Sequence, residues 1–361
     1  MTPVIDSIKR HQTVAFFLFT YALSWTAWKA FDRSYLDGQV VALPFLMLGI
    51  FGPGLVSIGL SALLDPARRR SVGRSSVIGF VLAWPLATLL VTLNQALVDG
   101  RAMSGPVVGA CAAAALMPAF VVAAVFSRAP GIGRLFDSLV RPRGRLSHYL
   151  LALTVFALIW SLGVAVSRIL GVQVPTRELP ASAAQVGLAG AVALHFCYNV
   201  MLNGFSEEVG WRGFALPRLQ ARYSPLAASL VLWLFWSLWH APAYLGGFAP
   251  QSLVNTLVEW ALVMPVAIIF TWLYNRAGGS LAVVMLLHPA MNTATRFMPI
   301  TLVGIGLLAT FAVFVACRDR MWRRLPPAED WSRGAWSLEL GLEQGPRRRP
   351  PPDAGIPAGR S

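Results

Sequence analysis

Apolar residues fill this chain in stretches long enough to cross a bilayer, parted by short gaps rich in arginine. The runs cover about 14–31, 40–64, 76–98, 107–126, 149–170, 184–216, 226–240, 253–274, 280–292 and 299–317. A hydrocarbon layer of about 30 Å takes about 20 apolar residues as helix, and lipid offers backbone groups no partner outside their own segment. The pattern predicts an all-α fold, a polytopic integral membrane helical bundle of about 8–10 transmembrane helices. The 226–240 run is short, and the 184–216 run is too long for one span. A short helix breaking near Gly187 or Gly190, and leading into a second span, resolves the latter. The polar lead 1–11 with Lys9 and Arg10 resembles a signal peptide. No small-residue cleavage site follows Trp25-Thr26-Ala27-Trp28 and more spans come after, so 14–31 is read as the first helix.

Composition agrees with the pattern: 56% of 361 residues are apolar, 13% are charged, and mean hydropathy is +0.60. A net charge of +14 would suggest nucleic acid in a soluble chain. Here the arginines sit between apolar runs, so the charge reads as topology and contact with membrane lipid, and no nucleic-acid partner is expected. Taken alternately, one set of gaps holds Lys9, Arg10, Arg68, Arg69, Arg70, Arg74, Arg128, Arg134, Arg141, Arg143, Arg145, Arg212, Arg218, Arg222 and Arg276. The other holds Lys29, Arg33, Arg101, Arg168, Arg177 and Arg296. The richer side is cytoplasmic, which places both termini inside and makes the helix number even, ten being the simplest. Cys111, Cys197 and Cys317 are scattered, without metal or disulfide spacing. Three regions result: N-terminal transmembrane helices over 1–180, a core over 181–317, and a basic, Pro-rich, disordered cytoplasmic tail over 318–361.

The costliest stretch is Ser206-Glu207-Glu208-Val209-Gly210-Trp211-Arg212, two carboxylates and a guanidinium in an apolar run. A charge near the bilayer centre costs about 2.5 to 3.5 kcal/mol on insertion scales, so such residues are functional candidates. Two further polar sites answer it, His240 after Leu234-Phe235-Trp236-Ser237-Leu238-Trp239, and His288 with Asn292. If Arg222-Tyr223-Ser224-Pro225 turns between antiparallel helices, Glu207 and His240 are equidistant from it, roughly 25 Å of helix or less along each arm. His288 and Asn292, four residues apart, share one helical face. Three helices can thus bring Glu207, His240, His288 and Asn292 to a common depth. Glu208 and Arg212 stand four apart in the favourable order, facing away from Glu207, and are expected to form a supporting ion pair. His195, Asn199 and Asn203 precede the motif at helical spacing and are expected to bond between helices. Glu259 is a costly charge in its own span, with no partner evident in the pattern.

A carboxylate and an imidazole sharing one water can deprotonate it for attack on a carbonyl, and a second His with an Asn amide can donate to the developing oxyanion. The same set could instead hold zinc through Glu207, His240 and His288, with the metal polarising the water. Both readings, zinc or no cofactor, suit these residue types. No H-E-x-x-H is present.

Glu207-Glu208-x-x-x-Arg212 with its trailing Gly-Phe-Ala-Leu-Pro-Arg-Leu, Trp236-x-x-x-His240 with Ala-Pro following, and His288-x-x-x-Asn292 resemble the three-motif signature of the CAAX-prenyl-protease and bacteriocin-processing (CPBP, Abi) family of intramembrane endopeptidases, in its bacterial form. The resemblance covers about 184–299. It implies a helical membrane core, residence in the bacterial inner membrane, and a membrane-associated protein or peptide as substrate. It also implies that Glu207 and His240 activate the water while His288 and Asn292 form the oxyanion site. Members are variously described as metalloproteases or glutamate-dependent. Trp236 stands where the second motif usually has Phe. Two other classes compete with the endopeptidase. A proton-coupled transporter would use Glu207, Glu259 and the histidines as a proton path, but calls for internal repeats and paired broken helices, neither evident here. A catalytically silent immunity or scaffold protein of the same fold would carry the same residues.

Overall fold

A computed structural model describes residues 3–36, 42–65, 73–98, 100–245, 247 and 249–325. Its elements are helical throughout. The N-terminal part comprises α1 (Pro3–Arg10), α2 (Gln12–Leu36), α3 (Leu43–Ile50), α4 (Gly52–Leu64), α5 (Arg74–Leu97), α6 (Gly105–Ala114), α7 (Leu116–Val125), α8 (Pro130–Val140) and α9 (Leu146–Ile169). The core adds α10 (Ser182–Asn199), a π-helix (Val200–Ala215), α11 (Leu216–Gln220), α12 (Pro225–Trp239), α13 (Ala241–Tyr244), α14 (Leu253–Arg276), α15 (Leu281–Phe297) and α16 (Leu302–Arg318). The protein is an integral membrane helical bundle. The 326–361 stretch, and with it most of the expected tail, lies outside the described residues.

Among the described residues, six helices are long and apolar enough to cross a membrane, or seven if the bent pair α3 and α4, 57° apart, is one span. The apolar runs suggested eight to ten. The remaining three runs are also helices among the described residues, α15 and α16 of 17 residues each, at the short end of a bilayer span, and α2 of 25 residues with more polar positions. The break expected near Gly187 or Gly190 occurs at Gly187, whose φ of 72° lies in the left-handed region that glycine enters without a Cβ penalty.

Local chemistry sets the helix starts in the core. Ser224, Ser252, Ser280 and Thr301 each present a side-chain oxygen to the backbone N–H three residues on, at Ala227, Asn255, Val283 and Gly304. Pro225 follows Ser224 at the first helical position, where its missing N–H costs nothing. The anticipated turn between the two motif-bearing helices is therefore built from the residues that suggested it.

The π-helix is the hub, packed against α4, α15, α10, α7 and α8. Such winding is usually a single turn, whereas here it continues for 16 residues, closed by the Leu216 N–H donating to the Trp211 carbonyl. Its neighbours come close enough to leave no room for side chains. A Cβ on Gly54 of α4 would lie 2.8 Å from the Ser206 carbonyl oxygen, and one on Gly210 would lie 2.6 Å from Pro53. With the backbones this near, small residues take the role they play at membrane helix crossings. Phe16, Trp211, Phe214 and Trp239 pack around the same hub, Trp211 meeting Trp239 edge-on at 5.9 Å and Phe16 at 5.4 Å.

Candidate active site

The middle of the π-helix is buried on all sides, and this is where the two adjacent carboxylates sit. Glu207 is 3% exposed and Glu208 is 0% exposed, so neither can rely on bulk water for its charge. Consecutive residues diverge around the helix, and the two acids consequently meet different partners. Glu207 Oε1 accepts from Asn203 Nδ2 at 2.8 Å, and Oε2 accepts from the Trp236 indole Nε1 at 2.6 Å. Each oxygen keeps a second lone pair for a further donor, such as a water. Among the described residues, no arginine or lysine forms an ion pair with Glu207.

Glu208 belongs to a different cluster. Its Oε1 accepts from Arg212 at 2.9 Å and lies 2.7 Å from His288 Nδ1. A carboxylate paired with a guanidinium only accepts, so the Nδ1 proton of His288 points at Glu208 and its Nε2 is left to face elsewhere. Arg212 is sealed between two aromatic faces, 4.5 Å from the Trp236 ring and 4.6 Å from the Phe270 ring. Desolvated cation–π contacts of this kind reach about 2 kcal/mol, which helps offset the cost of a buried guanidinium. The Glu208–Arg212 pair stands where the four-residue spacing put it. The addition is His288, which joins this pair.

Trp236 links the two clusters. It donates to Glu207, lies over Arg212, meets His288 edge-on at 5.4 Å, and its carbonyl oxygen is 2.9 Å from His240 Nδ1. The hairpin arithmetic set Glu207 opposite His240. The residue bonded to Glu207 across the hairpin is Trp236, one α-helical turn earlier. His240 is reached one step further on, since its Nδ1 lies against the Trp236 carbonyl. Removing only the indole N–H tests the contact between Trp236 and Glu207. Trp236→Phe keeps an aromatic face over Arg212, and in a double-mutant cycle with Glu207→Gln the thermal stabilities should show a coupling of about 1 to 3 kcal/mol. Additive losses would mean that the hydrogen bond contributes nothing.

Asn292 does not stand beside His288 as a second free donor. Its Nδ2 donates to Asn203 Oδ1 at 2.9 Å and to Asn199 Oδ1 at 3.3 Å, and Asn199 in turn donates to the His195 carbonyl at 2.8 Å. A ladder spaced by four residues, His195, Asn199, Asn203 and Glu207, therefore runs down one side of α10 and the π-helix and is braced from α15. The interhelical bonding expected of these asparagines is present, and Asn203 goes further by touching Glu207. Asn203 and Trp236 are the two site residues that sequence reasoning undervalued. The four-residue spacing and the departure from Phe were the available signals.

Glu207, His240 and His288 do not present a three-ligand zinc site in this arrangement. Both Glu207 oxygens face N–H donors and His288 Nδ1 faces Glu208. Among the described residues no three His, Cys, Asp or Glu side chains converge on one point. Glu259 does acquire partners, the Tyr244 hydroxyl and the Gln251 amide, both at 2.8 Å.

Comparison with known proteins converges on this same stretch. Residues 189–294 match the family model described as type II CAAX prenyl endopeptidase Rce1-like. A curated relative, CAAX prenyl protease 2 of Methanococcus maripaludis, is 30% identical over 133 residues. That match covers 34% of this chain and 49% of the relative, so the chain spans about half the length of the curated protein it matches. The matched region contains the π-helix, the α12 histidine and the His288–Asn292 face. Residues 189–294, with Glu207, Glu208, Arg212, His240, His288 and Asn292 among them, are thus similar to the Rce1-like type II CAAX prenyl endopeptidases.

Proposed function

We propose that this protein is an intramembrane endopeptidase that hydrolyses a peptide bond of a membrane-associated protein or peptide, using a water held between Glu207 and His240. The observation that carries the reading is Glu207 itself, a buried carboxylate inside a membrane-spanning element, held by two N–H donors and tied through Trp236 to His240. Such a group is costly to keep unless it is used. In the proposed step the water oxygen bonds to the scissile carbonyl carbon while its proton passes to the Glu207 carboxylate. Breakage of the carbon–nitrogen bond then returns that proton to the leaving amine. With Nδ1 held by Glu208, His288 directs Nε2 toward the developing oxyanion as its hydrogen-bond donor. Asn292 acts one step back, holding Asn203, which holds Glu207.

No step of this chemistry passes through a metal. The test compares membrane-protein N-termini in cells carrying the wild type or Glu207→Ala, followed by cleavage of the recovered peptides by purified protein in lipid. Cleavage that depends on Glu207 and persists in 1,10-phenanthroline is expected. Loss of cleavage on chelation, restored by zinc, would overturn the metal-free mechanism. The absence of any Glu207-dependent product would overturn the peptidase.

A further inference from the structure

Glu259 and Tyr244 lie outside the three motifs, yet they converge on one of the proposed catalytic groups. His240 closes α12 as its C-terminal cap, where the regular helix gives way to the single turn of α13. One hydrogen bond, from Nδ1 to the Trp236 carbonyl, fixes the ring at one corner. A ring tethered at one atom still pivots about that bond, and a displacement of about 1 Å at a reacting group can cost about a hundredfold in rate. Something must therefore restrain its faces. Trp239 meets His240 edge-on at 4.8 Å. Tyr244, four residues on, lies parallel to the imidazole, 9° between planes and 5.4 Å between centroids, within the range of offset stacking.

Tyr244 is itself pinned at both ends. Its hydroxyl donates to Glu259 Oε1 at 2.8 Å, and its backbone carbonyl accepts from the Gln251 N–H at 2.8 Å. The Gln251 side chain then donates to Glu259 Oε2 at 2.8 Å, which closes a ring of contacts between α13, the stretch before α14, and α14. A carboxylate in an apolar helix is an expensive means of fastening a loop. Ser252 already caps the helix there, and a neutral side chain would serve as an acceptor. The feature that this arrangement specifies and a plain fastening does not need is the plane of the Tyr244 ring. We propose that Tyr244 is a positioning residue for His240 and that Glu259 anchors it. The inference rests on the reading of His240 as a partner of the hydrolytic water.

Two readouts separate this inference from that reading. The first needs no substrate. In protein labelled at histidine, the carbon-bound ring protons of His240, assigned by loss in His240→Gln, should carry an upfield ring-current shift. The shift should persist in Tyr244→Phe and fall in Tyr244→Leu to the part that Trp239 and Trp236 contribute. Its absence from the wild type, or an undiminished shift in Tyr244→Leu, would overturn the stack whether or not the protein is a peptidase. The second readout is kinetic. Tyr244→Leu should lower kcat by about tenfold or more with little change in KM, Tyr244→Phe by only a fewfold, and Glu259→Leu should match Tyr244→Phe. Glu259→Gln keeps an oxygen for the Tyr244 hydroxyl and should restore nearly the wild-type kcat. An unchanged kcat in folded Tyr244→Leu, or a rise in KM alone, would refute the positioning role.

Discussion

Glu207→Gln should abolish cleavage while most of the protein still folds. A glutamine cannot take the water's proton, and loss of a group central to the chemistry typically costs at least about a thousandfold in rate. The structural cost is smaller but not zero. Asn203 and Trp236 each donate to a different oxygen of Glu207, and a glutamine can accept at only one of those positions. Asn203 cannot simply turn its amide around, because its Oδ1 already accepts from Asn292. One buried donor is left facing an NH2, a loss of about 1 to 3 kcal/mol. Thermal midpoint and detergent-solubilised yield, measured beside turnover, should show a modest drop in the first two and none of the third. Retained turnover would remove Glu207 from the mechanism.

The second large effect is on the fold. Glu208→Gln strands the Arg212 guanidinium, whose side chain is 1% exposed and whose one carboxylate partner among the described residues is Glu208. Breaking one side of a buried pair costs about 3 to 5 kcal/mol in soluble proteins, a large share of a typical stability. Replacing the cation as well, in Glu208→Gln with Arg212→Met, should recover part of that loss, since Met can fill the space between Trp236 and Phe270. It should not recover activity, because His288 still lacks the carboxylate that holds its Nδ1. Thermal midpoints and peptidase rates for the single and double variants decide the matter. If Glu208→Gln proves stable but inactive while Glu207→Gln turns over, the two carboxylates exchange roles.

Both predictions follow from side chains that adjacent sequence positions send in different directions, and that much was legible from the chain alone. An apolar run holding Glu-Glu and Arg at four-residue spacing, a Ser-Pro start for the facing helix and a glycine before the span are local features, decided by propensity, capping and the cost of charge in lipid. They appear in the structure where the spacing placed them: the Glu208–Arg212 pair, the turn ending at Ser224-Pro225 and the break at Gly187. The apolar runs likewise reappear as helices, down to the 17 residues of α15 and α16, because burying backbone groups in lipid forces helix on any such run.

What the tertiary structure alone decided was which side chain meets which. The π-winding of Val200–Ala215 leaves no periodic signature in a helix buried all round, and the packing of α12 against it gives Glu207 the Trp236 indole as a partner. The approach of α15 sets His288 on Glu208 and Asn292 on Asn203, and the fold of α13 against α14 gives Glu259 its tyrosine. The reason is physical. Helix formation and charge cost depend on neighbours within a few residues, so they are encoded along the chain. A hydrogen bond of 2.6 to 2.9 Å between separate helices depends on their rotation, rise and crossing to within a fraction of an ångström, and only the packed bundle fixes those together.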